Sequence, residues 1–146
     1  MIKISHRGNV TGRQPNDENR ESYIKEALRL GYDVEVDVWK APGGYYLGHD
    51  KPEFRTSLNF LCSHAENFWV HCKNIEALAD LTGTLLNCFF HQNDDVTLTS
   101  KGFLWVYPGK PLVPGAICVM PEYNNQKPTA EECGGVCSDL IKDYSS

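Results

Sequence analysis

Val34-Glu35-Val36-Asp37-Val38-Trp39 is the stretch that decides the fold. Apolar and acidic residues alternate there with the two-residue period of a β-strand. The valines therefore share one face, and Glu35 and Asp37 share the other. A face of three valines needs a covering layer, and the best helix of the chain stands just before it. Arg20 to Leu30 puts Ile24, Ala27 and Leu28 on one side, Asn19 can cap its start, and Gly31 is placed to end it. With a helix over the valines, the acids face the other side of the sheet. Two carboxylates cannot be buried together there without a cation. The competing reading places the alternating acids on a solvated sheet edge.

Outward from this strand, Gly43-Gly44 reads as a turn, and Tyr45-Tyr46-Leu47 as a short returning strand that delivers Gly48-His49-Asp50. Upstream, Ile2 to Ser5 is a strand candidate, followed by a polar loop over residues 9–18. Downstream, residues 57–67 read as a helix, Phe68 to Cys72 as a strand, and Ile75 to Leu86 as a helix. Short strands are expected at Cys88–Phe90, Val96–Thr99, Phe103–Val106, Ala116–Val119 and near Gly135–Cys137. The first half thus alternates strand and helix, which implies right-handed crossovers and a parallel sheet. The second half has strands with hardly any helix between them. A full (β/α)8 barrel takes about 250 residues, so a barrel built from this chain must have several outer helices shortened or missing. An open α/β sheet is the alternative.

The chain has 146 residues, enough for one domain with a hydrophobic core. No apolar run is long enough for a transmembrane helix, and Met1 to Ser5 lacks the apolar stretch of a secretory signal. The expectation is a cytoplasmic protein, or one whose signal has been removed. The formal net charge of −5 argues against nucleic acid or an anionic membrane as partner. Six cysteines, Cys62, Cys72, Cys88, Cys118, Cys133 and Cys137, are even in number, but three lie in apolar strand-like runs. Reduced, buried thiols are the expectation over a disulfide framework.

Parallel α/β folds place their sites at the carboxyl ends of strands. His6 and Arg7 follow the first strand, Glu35 and Asp37 end the second, and His49 and Asp50 follow the returning strand. His71 and Lys73 end the next one. Singly, each histidine reads as an ordinary polar residue; the coincidence at successive strand ends is what points to a site. Glu18-Asn19 reads most simply as a helix cap with a first-turn charge. His91-Gln92-Asn93-Asp94-Asp95 reads either as a polar turn or as substrate contact. Trp105 reads as core, or as the wall of a pocket together with Tyr107.

As a set, His6-Arg7-Gly8, Glu18-Asn19, Glu35-Val36-Asp37-Val38 and His49-Asp50 resemble the glycerophosphodiester phosphodiesterase family. Lys73 is similar to that family's strand lysine, and Ser138-Asp139, more weakly, to its closing Thr-Asp. The resemblance implies that residues 1–146 form a single phosphodiesterase-like domain, a compact (β/α)8 TIM-type barrel that hydrolyses a small phosphodiester with Mg²⁺ or Ca²⁺. It implies His6 and His49 as the acid–base pair, Arg7 and Lys73 on phosphate oxygens, and Glu35 and Asp37 on the metal. The family has an acid where this chain has His71, a residue that suits Mn²⁺ or Zn²⁺ better. Glu122 is a candidate replacement carboxylate. The rival expectations are a lyase-type or phospholipase D-like reaction giving a cyclic phosphate, and an inactive barrel that binds a phosphorylated ligand or protein. A homo-oligomer that buries the sheet faces left by missing helices is a further expectation.

Overall fold

The structure, a computed structural model, describes residues 1–144. The alternating stretch is strand β2 (Asp33–Ala41), with Val34, Val36 and Val38 fully buried on one face and Glu35 and Asp37 buried on the other. Helix α1 (Glu21–Arg29) lies on the valine face, where Ile24 and Ala27 join a core with Leu61, Phe68, Val70, Ala77 and Leu81. Each fully buried valine contributes about 1.5–3 kcal/mol, which makes this face the main determinant of where the sheet sits.

Parallel ladders join β1 (Ile2–His6) to β2, and β2 to β5 (Phe68–Cys72), which in turn pairs with β6 (Asn87–Phe89). On its other edge β1 pairs in parallel with β10 (Gly135–Ser138), then β9 (Ile117–Val119), then β8 (Leu104–Val106). Strand β7 (Val96–Leu98) closes the series antiparallel to β8. Strand β2 leaves β1 after Glu35 and from Val38 onward takes β3 (Gly44–Leu47) antiparallel, with β4 (Phe54–Thr56) outside it. Helices α2 (Leu58–Ser63) and α3 (Ile75–Leu81) are the only other α-helices among the described residues. Ser57 and Asn74 cap them through side-chain oxygens that accept from the backbone N–H of Phe60 and Ala77.

The expected (β/α)8 barrel is therefore not the fold. The sheet is mixed and curled into a half-barrel, with three short helices, all between β1 and β6. Connector length is the reason. The turn from β7 to β8 spans Thr99 to Phe103, too short for a crossover, so the strand must reverse as a hairpin. Between β9 and β10 a single 3-10 turn (Pro121–Asn124) stands where a crossover helix would lie. No ladder joins β6 to β7 or β8 among the described residues, and the sheet stays open. The helix expected over 75–86 stops at Leu81, ahead of Thr82-Gly83-Thr84, and β4 was not expected.

The concave face of the sheet is filled from below. Ile4, Trp69, Phe89, Trp105, Ile117 and Cys137 form a second buried cluster. Trp69 and Phe89 pack against Trp105 with ring centroids 5.7 and 4.6 Å away. The next inward residues along these strands, two positions on, are His6, His71, His91, Tyr107, Val119 and Asp139. The strand period thus stacks a layer that is polar except for Val119 on an aromatic floor. Among the described residues no helix is long and apolar enough to cross a membrane.

Candidate active site

The carboxyl ends of the strands surround a cavity of about 470 Å³, lined by His6, Arg7, Glu35, His49, His71, Lys73, His91, Gln92, Trp105, Tyr107 and Tyr123 among others. Every histidine and cation singled out in the sequence lines this one space. A larger cavity of about 690 Å³ lies beside the β9–β10 connection, between Met1, Lys127 and Tyr144, and holds no comparable cluster.

Arg7 and Gly8 both have left-handed backbones, with φ of 58° and 94°. This turn directs Arg7 into the site, and a Cβ on Gly8 would lie 2.5 Å from the Tyr23 ring. Gly48, at φ 151°, leads into His49, and its Cβ would lie 2.2 Å from the Lys51 carbonyl oxygen. Both histidines are anchored in the same way. The Nδ1–H of His6 donates to Asp139 Oδ1 at 2.7 Å, and that of His49 donates to Asp50 Oδ1 at 2.7 Å. A carboxylate only accepts, so the anchoring leaves Nε2 of each ring as the free nitrogen. His6 Nε2 lies 3.7 Å from Glu35 Oε2. Burial and then Arg7 pull the His49 ring below its ordinary value, so it is neutral near pH 7.

Asp37 is the most heavily surrounded acid. Arg7 Nε is 3.1 Å from its Oδ2, and His71 Nδ1 and Lys73 Nζ lie 3.2 and 3.9 Å from its Oδ1. Asn19 donates to Oδ2 at 2.9 Å and accepts the Asp37 backbone N–H at 3.0 Å. Burial pushes the Asp37 carboxyl up, but His71, Arg7 and Lys73 together pull it well below the carboxylate range. Glu35 goes the other way: burial and then the Asp37 charge hold its carboxyl well above its ordinary value, against Arg7 and Lys73. Two buried acids side by side cannot both ionise cheaply.

Oε2 of Glu35 and Oδ1 of Asp37 are buried without any hydrogen-bond partner. Together with His71 they offer ligand atoms that all lie within 4.8 Å of one another. Orphaned buried oxygens are rare, and a divalent cation would satisfy both while removing the conflict between the two charges. Glu35, Asp37 and His71 therefore fit a metal. Glu122 does not belong to this group: its Oε1 accepts from Ser138 Oγ and the Asp139 backbone N–H, and its Oε2 accepts from Tyr144 Oη.

Glu18 and Asn19 are not the helix cap that the sequence suggests. Arg20 occupies the cap position of α1, without a side-chain cap bond. Glu18 instead accepts from Arg7, Asn9 and Arg13, and Asn19 grips Asp37. Asn9, which sequence reasoning passed over as loop, is the hub of this wiring. Its amide nitrogen donates to Glu18 at 3.1 Å and Asp139 at 2.8 Å, and its oxygen accepts from Tyr23 Oη and the Gln14 backbone N–H. A buried amide that satisfies four partners across 130 residues carries no local sequence signal. Of the alternatives for 91–95, His91 lines the cavity, stacked on Tyr107 at 3.3 Å between centroids, whereas Asp94 and Asp95 are exposed turn residues. No family model, curated protein or solved structure matches the chain.

Proposed function

We propose that the chain hydrolyses a phosphodiester, using His6 and His49 for proton transfer. The observation that carries this reading is the pair of imidazoles, each tied through Nδ1 to a carboxylate and each lining a cavity that also holds Arg7 and Lys73. Anchoring through Nδ1 fixes ring orientation and tautomer, which is what proton transfer at Nε2 requires. Two cations beside them suit the oxygens of a phosphoryl group, whose charge must be stabilised as it transfers. His49, neutral near pH 7, takes the proton of the attacking water. His6, between the Asp139 and Glu35 carboxylates, hands one to the leaving oxygen. A divalent cation held by Glu35, Asp37 and His71 would, when bound, neutralise phosphoryl charge. The order of motifs, which resembles that of glycerophosphodiester phosphodiesterases, supports the same reaction class.

The test is a screen of glycerophosphodiesters and simpler phosphodiesters with Mg²⁺, Ca²⁺ and Mn²⁺. The wild-type chain should turn over at least one, and His6→Ala and His49→Ala should each reduce kcat by about 10²–10⁴-fold with unchanged circular dichroism. Wild-type turnover in both variants, or none by the wild type with any metal, sinks the proposal. The second outcome, with retained phosphate-ester binding, would mark a binding protein.

A further inference from the structure

We propose that Glu35, Asp37 and His71 form a site that selects a first-row transition-metal dication, Mn²⁺ or Zn²⁺, over Mg²⁺ and Ca²⁺. The inference rests on the reading that these three residues hold the cation, and adds which class of cation they hold. The argument starts at His71 Nε2, which lies 3.2 Å from the His91 carbonyl oxygen. A carbonyl only accepts, so Nε2 carries a proton, and Nδ1 is the ring nitrogen turned towards the two acids. It faces Asp37 Oδ1 at 3.2 Å and Glu35 Oε1 at 3.8 Å.

Asp37 Oδ1 is buried and has no well-aligned hydrogen-bond partner at this distance. A nitrogen and an oxygen 3.2 Å apart are spaced as two ligands of one ion. With metal–ligand bonds of about 2.1 Å, neighbouring ligand atoms lie about 3.0 Å apart in an octahedron and about 3.4 Å in a tetrahedron. The ring is also fixed as a metal-ligating imidazole is: its far N–H is held by a backbone carbonyl, and its face stacks on Phe89 at 5.0 Å and 16°. An imidazole among the ligands disfavours Mg²⁺ and Ca²⁺, which take oxygen, and suits borderline ions.

The test uses the full chain stripped by chelation and reloaded with Mn²⁺, Zn²⁺, Mg²⁺ or Ca²⁺. Calorimetry should show Mn²⁺ or Zn²⁺ bound at least tenfold more tightly than Mg²⁺ or Ca²⁺. Electron spin-echo modulation of the Mn²⁺-loaded protein should show a coordinated ¹⁴N. In His71→Glu the nitrogen modulation should vanish and the preference for Mn²⁺ over Mg²⁺ should fall at least tenfold. Glu35→Gln should lose the site, which separates it from zinc held by thiols. Equal or tighter Mg²⁺ or Ca²⁺ binding overturns the proposal, as does an absent nitrogen signal in the wild type or its persistence in His71→Glu. The wild-type spectrum decides even if that variant fails to fold. Selective Mn²⁺ binding with nitrogen modulation, in a chain that hydrolyses no phosphodiester, leaves this site standing and removes the enzymatic reading. Hydrolysis by a chain that prefers Mg²⁺ does the reverse.

Discussion

Glu35→Gln should make the metal-free protein more stable and the metal-loaded protein less so. Glu35 is buried beside Asp37, and its Oε2 has no hydrogen-bond partner. Its folded-state carboxyl is held well above its ordinary value, first by burial and then by the Asp37 charge. Such a group favours the fold at low pH. That stability is lost as pH rises from the unfolded carboxyl range, about 4.3, through the raised folded value. Above that value the wild type carries a buried charge beside Asp37, with Glu35 Oε2 left without a hydrogen bond, which costs about 1–3 kcal/mol. Glutamine keeps the shape and removes the charge. In chelator at pH 8 the variant should therefore gain about 1–3 kcal/mol, or roughly 3–10 °C in Tm for a chain of this length. At pH 4 the gain should shrink towards zero, because Glu35 is then protonated in the folded state and mostly protonated in the unfolded chain. With Mn²⁺ at a thousand times its Kd the wild type gains about 4.1 kcal/mol, and the order reverses. Thermal melts at pH 4 and pH 8, with and without Mn²⁺, measure all four corners. A variant less stable than wild type in chelator at pH 8 would refute the account of two conflicting buried acids.

Asn9→Leu should cost about 1.5–3 kcal/mol in a denaturant melt, because Glu18 and Asp139 each lose a buried amide donor; an unchanged midpoint would remove Asn9 as the hub. Gly8→Ala should cost about 1–3 kcal/mol, from its backbone at φ +94° and from the Tyr23 ring 2.5 Å from the new Cβ. Equal stability of that variant would mean the turn is not held as described. All six cysteines are free, and Cys62 alone is not buried. An aromatic disulfide reagent should therefore label one thiol in the native protein and six in guanidinium, whereas fewer than six after unfolding would reveal disulfides.

The strand at 34–38 and the helix before it were legible because their information is local. A two-residue period and a helical face are written in neighbouring residues, and burial of the valines follows from them. The same strand period, applied to His6, Glu35, Asp37, His71 and Lys73, places these side chains on one side of the sheet. Local pattern could not show whether the sheet closes. That depends on which distant edges meet: the β7–β8 connection is too short for a crossover, and the β9–β10 connection crosses over with only a 3-10 turn and no α-helix. It also could not show where polar side chains find their partners. Glu18 and Asn19 looked like a cap because helix starts favour such residues, yet in the folded chain Arg7 and Asp37 compete for them and win. Glu122 looked like a spare ligand until Ser138 and Tyr144 claimed both its oxygens. Sequence alone determined which residues share a face. Tertiary structure decided which of them touch, because a buried charge takes whatever partner the fold brings within reach, however far away in the chain.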